Sequence, residues 1–261
     1  MQRVLAISPH LDDAVLSAGG RLCELASEGV EVTVLTLFAG IPTPPYSLFA
    51  ELLHEEWQLP DNPVEDRRTE DVEALKCLGA QALHGPFLDI IYRARPDGQW
   101  MVDAAAPPPT YETTQEPQLS ASLAAAVTEQ IARLEPDRIL TCAAVGDHID
   151  HRRTRNAVLA AAADQVPVWC WEDLPYSHQL SVQPPALADF GRPVAEPVGD
   201  RAWEAKHQGI DCYRSQHSML WPNGEDIRSS YDTHARHLAQ GHGLTGRAEL
   251  FWPVRLGGVR G

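Results

Sequence analysis

The first half of the chain alternates between short apolar runs and longer runs in which apolar residues recur at helical spacing. The β-branched runs RVLAISP and EVTVLTLF, at residues 3–9 and 31–38, are typical of buried strands. The segment AVLSAGGRLCELASEG between them has the spacing of a helix, and Gly29 at its end suits a helix C-cap. Together these runs predict a βαβ unit.

The same alternation continues as far as residue 177. Strands that alternate with helices predict a mostly parallel sheet with helices on both faces and with ligands outside the carboxyl ends of the strands. The predicted fold class is therefore α/β, a Rossmann-like three-layer αβα sandwich. Further helices are predicted at residues 67–80, 119–134 and 151–164, and further strands at 81–88, 137–145 and 166–175.

The regular pattern weakens in the last third of the chain. Only two segments there, near residues 202–216 and 226–240, have the apolar spacing of helices. We therefore predict a single domain over residues 1–261. It consists of a Rossmann-like core at 1–177 and an irregular C-terminal extension at 178–261 that packs on the core.

The amino-acid composition of the chain argues against several classes of binding partner. The chain has 36 Asp and Glu against 21 Lys and Arg, and its formal charge of −15 repels nucleic acids and anionic lipid surfaces. No apolar run approaches the ~20 residues of a membrane span, and the first residues enter a strand pattern directly, so we expect a cytoplasmic protein without membrane insertion. The five cysteines are scattered without a CxxC spacing, which indicates reduced thiols rather than disulfides or a thiolate zinc site.

Titratable side chains cluster at the end of the first predicted strand, in the stretch SPHLDD. His10, Asp12 and Asp13 lie there together. One aspartate has an ordinary explanation, because aspartate caps the amino end of a helix, here one that begins near Ala14. That explanation leaves the second aspartate and the histidine without a role.

A second cluster, GDHIDHRR, follows another predicted strand and contains His148, Asp150 and His151. Helix capping by an aspartate, with solvated histidines, is the alternative explanation for this cluster. Because parallel strands end at the same edge of a sheet, the two clusters predict one shared site. The segment WEDLPY, with Asp173 and Tyr176, ends a further strand in the same layer.

Histidine and carboxylate ligands favour a particular chemistry. Neutral imidazole and carboxylate suit zinc, and three protein ligands with an open position define a catalytic rather than a structural zinc site. A nearby carboxylate that does not bind the metal serves as a general base, and a further imidazole stabilises an oxyanion. The two clusters together therefore indicate a metal-dependent hydrolase.

The paired motifs HxDD and HxDH resemble those of the PIG-L or LmbE-like zinc N-deacetylases, and the resemblance covers roughly residues 3–177. It implies that His10, Asp13 and His151 are ligands of one Zn²⁺ per chain. Fe²⁺ is the alternative metal, and the sequence does not distinguish the two. By the same resemblance, Asp12 corresponds to the general base.

The resemblance also assigns roles around the metal. It implies that His148 stabilises the oxyanion or acts as general acid, and that Asp150 orients His148. Arg67 matches a substrate-contacting arginine, with an exposed arginine at a helix start as the alternative, and Asp89 either binds a sugar hydroxyl or caps a turn. Gly146 stands where some members carry a tyrosine, so an accessory donor is missing or is supplied from elsewhere.

The segments FAGIPTPPYS, HGPFLDIIYR and TCAAVGDHIDH most resemble deacetylases of glycopeptide-antibiotic pseudoaglycones. The implied substrate is an N-acetyl or longer N-acylglucosamine unit of a small-molecule glycoconjugate in antibiotic or other secondary-metabolite biosynthesis. Such a scaffold requires an open, partly apolar mouth. The proline-rich stretch 94–118, predicted as a long loop with Trp100 and Tyr111, and a segment with Met219 and Trp221 either line this mouth or pack inward.

Other functions remain as alternatives. A deacetylase of a small-molecule thiol or aminoglycoside precursor keeps the same chemistry, and a non-catalytic sugar-binding module keeps only the fold. A different metal-dependent hydrolysis, of another small amide or of a phosphoester, keeps the metal. A nucleotide binder is disfavoured because neither G-x-G-x-x-G nor G-x-x-x-x-G-K-[ST] is present. The sequence does not indicate the oligomeric state.

Overall fold

The computed structural model describes residues 1–102, 116–162, 165–177, 190–221, 224 and 226–255. Within these ranges a seven-stranded sheet runs through the centre, in the order β3-β2-β1-β4-β5-β7-β6. The strands from β3 to β5 pair in parallel, and β7 pairs antiparallel with both β5 and β6. The strands are β1 (Arg3–Ser8), β2 (Glu31–Thr36), β3 (Gln81–His84), β4 (Arg138–Cys142), β5 (Val168–Trp171), β6 (Val194–Val198) and β7 (Arg247–Pro253).

Helices cover both faces of the sheet, and β1 shows why. Alternate residues of a strand point to opposite faces, so Val4 and Ala6 join one apolar cluster while Leu5 and Ile7 join another. The first cluster includes residues of α1, α3, α6 and α8, and the second includes residues of α4 and α5. The helices are α1 (Asp13–Ser27), α2 (Leu48–Glu56), α3 (Pro63–Cys77), α4 (Pro117–Leu134), α5 (Ile149–Ala162), α6 (Asp200–Cys212), α7 (His217–Leu220) and α8 (Ile227–Gly241). The predicted three-layer α/β class is confirmed.

The C-terminal part is more regular than we expected. It supplies β6 and β7, which extend the sheet beyond β5, and its helices α6 and α8 are those predicted from the spacing. The strands escaped prediction because β6 is a short edge strand that contains Glu196 and Pro197, and proline is compatible with an edge position. Helix α2 was also not predicted.

The predicted loop at 94–118 is only partly described. It begins with an antiparallel bridge between Ala94 and Trp100, and its end is already helical because α4 starts at Pro117. Proline suits the first turn of a helix, where its missing N–H has no intrahelical partner. Residues 103–115, which include Tyr111, lie outside the described part of the chain.

Helix α1 is held closely against the C-terminal elements. Lys206 Nζ lies 2.6 Å from Glu249 Oε1, and both side chains are buried. The Glu249 carboxylate also accepts hydrogen bonds from the backbone nitrogens of Gly20 and Arg21, at 3.0 and 2.8 Å. A Cβ on Gly20 would lie 2.6 Å from Val198 Cγ1, so this approach requires glycine.

Replacing Gly20 with alanine should therefore destabilise the fold. We expect the Gly20→Ala free energy of unfolding to fall by about 1–3 kcal/mol, the usual cost of overpacking a close contact. Urea denaturation measures this change. The control is Gly241→Ala at the end of α8, where nothing lies within 4 Å of an added Cβ. Equal stability of the Gly20 variant and the wild type would contradict the close packing of α1.

Candidate active site

Neither aspartate side chain in the turn between β1 and α1 caps the helix. Asp12 precedes α1 with a φ of 148°, a strained value for a residue with a side chain, and its carboxylate makes no capping hydrogen bond. The backbone nitrogen of Ala14 instead donates to Ser8 Oγ at 3.2 Å. Asp12 and Asp13 both line a cavity of about 310 Å³ at the carboxyl ends of the parallel strands. The capping explanation for this cluster is therefore wrong.

The two sequence clusters converge at this cavity. Asp13 Oδ2 lies 3.2 Å from His10 Nδ1 and 3.3 Å from His151 Nε2. The nitrogens of His10, His148 and His151 lie within 4.8 Å of one another, close enough to hold one ion. His151 Nε2 is buried and has no hydrogen-bond partner, which a metal ion at this point would provide. These side chains form a candidate metal site of histidine and aspartate.

Two histidines, His10 and His151, each place one ring nitrogen near Asp13. The other ring nitrogen of each lies near a second carboxylate. His151 Nδ1 lies 2.8 Å from Asp173 Oδ1, and Asp173 Oδ2 accepts from the backbone nitrogen of Val145 at 3.0 Å. His10 Nε2 lies 3.5 Å from Asp150 Oδ2. Metal-ligating histidines usually donate their second N–H to such a carboxylate, so this donor set fits a metal ion.

Asp12 is the carboxylate best suited to exchange a proton near neutral pH. Burial and the negative charge of Asp13 raise the pKa of Asp12 to about 7, although the Arg67 guanidinium opposes the rise. Arg67 Nη2 lies 3.6 Å from Asp12 Oδ2. A group whose pKa lies near the working pH accepts and returns a proton efficiently.

His148 is arranged as a neutral hydrogen-bond donor. Its Nδ1 accepts a hydrogen bond from the backbone nitrogen of Asp150 at 3.3 Å, which leaves the ring proton on Nε2. Burial, together with the neighbouring His10 and His151, lowers the pKa of His148 to about 4. His148 lines the cavity, where its N–H is available to a substrate oxygen.

The side chain of Asp150 has a different partner from the one we expected. We predicted that Asp150 orients His148, but in the structure its backbone N–H makes that contact. Its carboxylate, fully buried, accepts two hydrogen bonds from Arg93, at 2.6 and 3.1 Å. A guanidinium fork matches both oxygens of a carboxylate, so Arg93 rather than His148 is the hydrogen-bond partner of the Asp150 side chain.

Arg67 and Asp89, the predicted substrate-binding residues, both line the cavity. Arg67 is buried rather than exposed, with its guanidinium 4.7 Å from the Trp57 ring centroid and 3.3 Å from the Leu11 carbonyl oxygen. Asp89 Oδ1 accepts from the Ile91 backbone nitrogen at 3.2 Å and thus caps a turn, while Oδ2 lies 3.7 Å from His10 Nε2. One oxygen of the Asp89 carboxylate therefore caps a turn, and the other oxygen faces the site.

Sequence reasoning assigned no role to Asp173 or Tyr176, which contact His151. It also assigned none to Arg93, which contacts the Asp150 carboxylate. The Tyr176 ring packs at right angles on His151, with 5.4 Å between centroids, and Tyr176 lines the cavity. A Cβ on Gly146 would lie 3.0 Å from Tyr176 Cβ, so the absence of a side chain at residue 146 makes room for this tyrosine. The position of WEDLPY at the end of β5 was the available signal for Asp173 and Tyr176.

Known proteins resemble the chain in sequence. The profile of the PIG-L family, described as GlcNAc-PI de-N-acetylase, matches residues 5–162. The 2'-N-acetylparomamine deacetylase of Niallia circulans is 28% identical, over 94% of this chain and 88% of that protein. The 1D-myo-inositol 2-acetamido-2-deoxy-alpha-D-glucopyranoside deacetylase of Rhodococcus jostii is 31% identical, over 64% of this chain and 56% of that protein.

Solved structures resemble the chain over nearly its whole length. The zinc-inhibited form of teicoplanin deacetylase has a TM-score of 0.88 and 38% identity, over 97% of this chain and 98% of that one. The A40926 pseudoaglycone deacetylase has a TM-score of 0.84 and 36% identity, over 99% of both chains.

The fold and the site together define a three-layer α/β enzyme with a candidate metal site of histidine and aspartate. The chain belongs to the PIG-L family and is an N-deacetylase, which is an amidohydrolase. The resemblance seen in the HxDD and HxDH motifs is thereby confirmed. Among the described residues, no helix is long and apolar enough to cross a membrane.

If the candidate site binds a metal ion, the ion should raise the thermal stability of the protein. An ion that binds only the native state adds about 2.7 kcal/mol at 100 times its Kd, and we expect Zn²⁺ to raise the Tm of chelator-treated protein by roughly 5–10 °C. Differential scanning fluorimetry measures the shift. His151→Ala should abolish it, whereas His237→Ala, at an exposed position of α8, should keep it. A full shift in His151→Ala would contradict the site.

Proposed function

We propose that this deacetylase uses one Zn²⁺, held by His10, Asp13 and His151, to remove the acetyl group from a glucosamine unit carried on a bulky aglycone. The observation that carries the proposal is the convergence of these three side chains beside Asp12, a buried carboxylate without a capping role. Fe²⁺ suits the same ligands and is the alternative metal. Longer N-acyl groups are included in the substrate class.

The proposed ligands are neutral imidazoles and a carboxylate, a donor set that zinc accepts. When bound, the cation makes a water molecule more acidic and polarises the carbonyl of the amide. His10 and His151 each keep their second nitrogen on a carboxylate, which fixes the ring orientation.

Asp12 performs the proton transfers in this proposal. As general base, its carboxylate takes a proton from the attacking water. The same carboxyl group then returns a proton to the nitrogen of the departing amine, so that the amide C–N bond breaks to give acetate and the free 2-amino group of the glucosamine unit, which stays attached to its aglycone. Arg67 at 3.6 Å keeps Asp12 oriented and limits the rise of its pKa.

His148 stabilises the negative charge on the carbonyl oxygen during the attack. The His148 ring is neutral and carries its proton on Nε2, because Nδ1 accepts a hydrogen bond from the Asp150 backbone N–H. One such donor in a desolvated site is worth about 10²-fold or more in rate. Asp89 and Arg67 supply polar contacts for the sugar hydroxyls on the cavity wall.

The rim of the cavity suits a bulky, partly apolar aglycone. Phe49 and Leu53 of α2 line one side, and Met219 and Leu220 of α7 line another. Met219 is 41% exposed, whereas Trp221 is buried in the core and packs inward. The similarity to teicoplanin and A40926 pseudoaglycone deacetylases supports a glycopeptide substrate.

The acidic cavity favours a second candidate substrate. Asp12, Asp13 and Asp89 all line it, and the chain carries a net charge of −15, which attracts cations. A polycationic aminoglycoside precursor would benefit from this charge. The relative that acts on 2'-N-acetylparomamine supports this alternative.

Substitution of Asp12 by asparagine should remove turnover but not metal. The amide cannot accept a proton, so we expect kcat to fall by about 10²–10⁴-fold while one Zn²⁺ per chain remains. Acetate release and metal analysis measure the two effects. Asp147→Asn is the control, because Asp147 lies in the same sequence cluster as His148 but its side chain is 78% exposed. A kcat near the wild-type value in Asp12→Asn would refute the base assignment.

The aglycone should raise the efficiency of deacetylation. We expect kcat/KM for a glycopeptide-linked N-acylglucosamine to exceed that for free N-acetylglucosamine, because remote contacts orient the reacting amide. Acetate release from the free sugar, the glycopeptide conjugate and an N-acetylated aminoglycoside compares the candidates.

A matched pair of variants tests where the aglycone lies. Met219→Ser should lower kcat/KM for the preferred conjugate by roughly threefold to tenfold, the effect of losing part of an apolar contact, and leave the free sugar unaffected. Val72→Ser serves as control because Val72 is also exposed but does not line the cavity. Efficiency for the free sugar at or above that for every conjugate would disprove the aglycone preference.

A further inference from the structure

We propose that Arg93 is a positioning residue that strengthens metal binding through Asp150 and His10. The inference rests on the proposed function, because it takes His10 as a metal ligand. It concerns a chain of three side chains that runs from the protein interior to the cavity. Among the described residues, Arg93 has no contact with the proposed metal ligands Asp13 and His151, and it does not line the cavity.

The contact between Arg93 and Asp150 is the shortest in this chain of side chains. Arg93 Nη2 donates to Oδ1 at 2.6 Å and Nη1 to Oδ2 at 3.1 Å, so both oxygens of the buried carboxylate are fixed. The backbone nitrogen of Ile90 adds a third donor to Oδ2, at 3.0 Å. Oδ2 is the oxygen that faces His10 Nε2.

His10 requires an acceptor on this side of its ring. A neutral imidazole that binds a metal through Nδ1 carries its one N–H proton on Nε2, and a buried N–H without an acceptor is costly. Asp150 Oδ2 lies 3.5 Å away and Asp89 Oδ2 lies 3.7 Å away. The Asp150 side chain is fully buried and held by three donors, whereas that of Asp89 is 17% exposed at the cavity wall. Asp150 is therefore the acceptor that can define the ring orientation.

Arg93 itself is held in place on several sides. Nη1 donates to the Leu88 carbonyl oxygen at 2.9 Å, Nε lies 3.2 Å from Glu116 Oε1, and the guanidinium lies 5.2 Å from the Phe38 ring centroid. Without this cation, the Asp150 carboxylate would lose the two donors that fix both of its oxygens, and the side chain would be free to rotate. Rotation would move the acceptor that orients His10.

Arg153 provides a matched control. It is as buried as Arg93 and pairs with the same acid, with Nη2 2.9 Å from Glu116 Oε2. No described hydrogen bond or ion pair joins Arg153 to Asp150. Loss of Arg153 therefore removes a buried arginine and a Glu116 contact but leaves the chain to His10 intact.

The test measures Zn²⁺ affinity by chelator competition on the full-length protein. Loss of a residue that positions a ligand usually weakens metal binding by about 10–100-fold, and we expect this loss in Arg93→Gln. Arg153→Gln should bind Zn²⁺ as the wild type does. The visible spectrum of the Co²⁺-substituted protein should change in Arg93→Gln alone, because it reports the ligand geometry. Wild-type affinity and spectrum in folded Arg93→Gln would overturn the proposal.

A double-mutant cycle covers the case in which Arg93→Gln does not fold. Arg93→Gln combined with Asp150→Asn leaves no unpaired buried charge, so the double variant avoids the main destabilising effect of the single one. If Arg93 acts through Asp150, the double variant should bind Zn²⁺ no more weakly than Asp150→Asn alone. A further loss of tenfold or more in the double variant would overturn the proposal.

The wild-type protein separates this inference from the proposed function. If wild-type protein fails to bind Zn²⁺, or if Asp13→Ala and His151→Ala bind it unchanged, the proposed metal site is wrong and the inference falls with it. If those controls behave as proposed and Arg93→Gln keeps wild-type affinity, only the inference about Arg93 is wrong.

Discussion

Buried carboxylates of like charge must each find a positive or hydrogen-bonding partner, because the protein interior screens their repulsion poorly. Four such groups belong to the candidate site: Asp12 and Asp13 line the cavity, and Asp150 and Asp173 lie next to ring nitrogens of His10 and His151. Three of them are closely compensated, by histidine rings, by the Arg93 fork or by a backbone N–H. In the described part of the chain the ion pair of Asp12 is with Arg67, at 3.6 Å, and burial together with the charge of Asp13 raises the pKa of Asp12 to about 7. The unequal distribution of partners thus distinguishes Asp12, the proposed general base, from the carboxylates proposed to bind or support the metal.

The fold brings these groups together by the order of its strands. β1 and β4 are neighbours in the sheet although more than a hundred residues separate them, so the HxDD and HxDH segments leave the sheet at the same edge. β5 lies next to β4 and adds Asp173. On the far side, the buried pair of Lys206 and Glu249 anchors α1, the helix that begins at Asp13.

The cavity divides into a polar floor and an apolar rim. The floor is made by the ends of strands, which are rigid and hold the reacting groups at fixed distances. The rim is made by α2 and α7, short helices outside the sheet that place apolar side chains such as Leu53 and Met219 on the cavity wall. In the proposed function, the strand ends carry the deacetylation chemistry and the rim contacts the aglycone.

The sequence by itself determined the α/β class, the strand ends and the two clusters, because apolar periodicity and motif spacing are local properties. It also placed His10, Asp13 and His151 at one edge of the sheet, since parallel strands share that edge. It did not predict β6 and β7, which pair with each other and, through β7, with β5, because such pairing joins segments that are distant in the sequence. Nor did it identify Arg93 as the partner of the Asp150 carboxylate. Arg93 is 57 residues away in the chain, and only the folded structure decided that its guanidinium, rather than the adjacent histidine, takes up this buried charge.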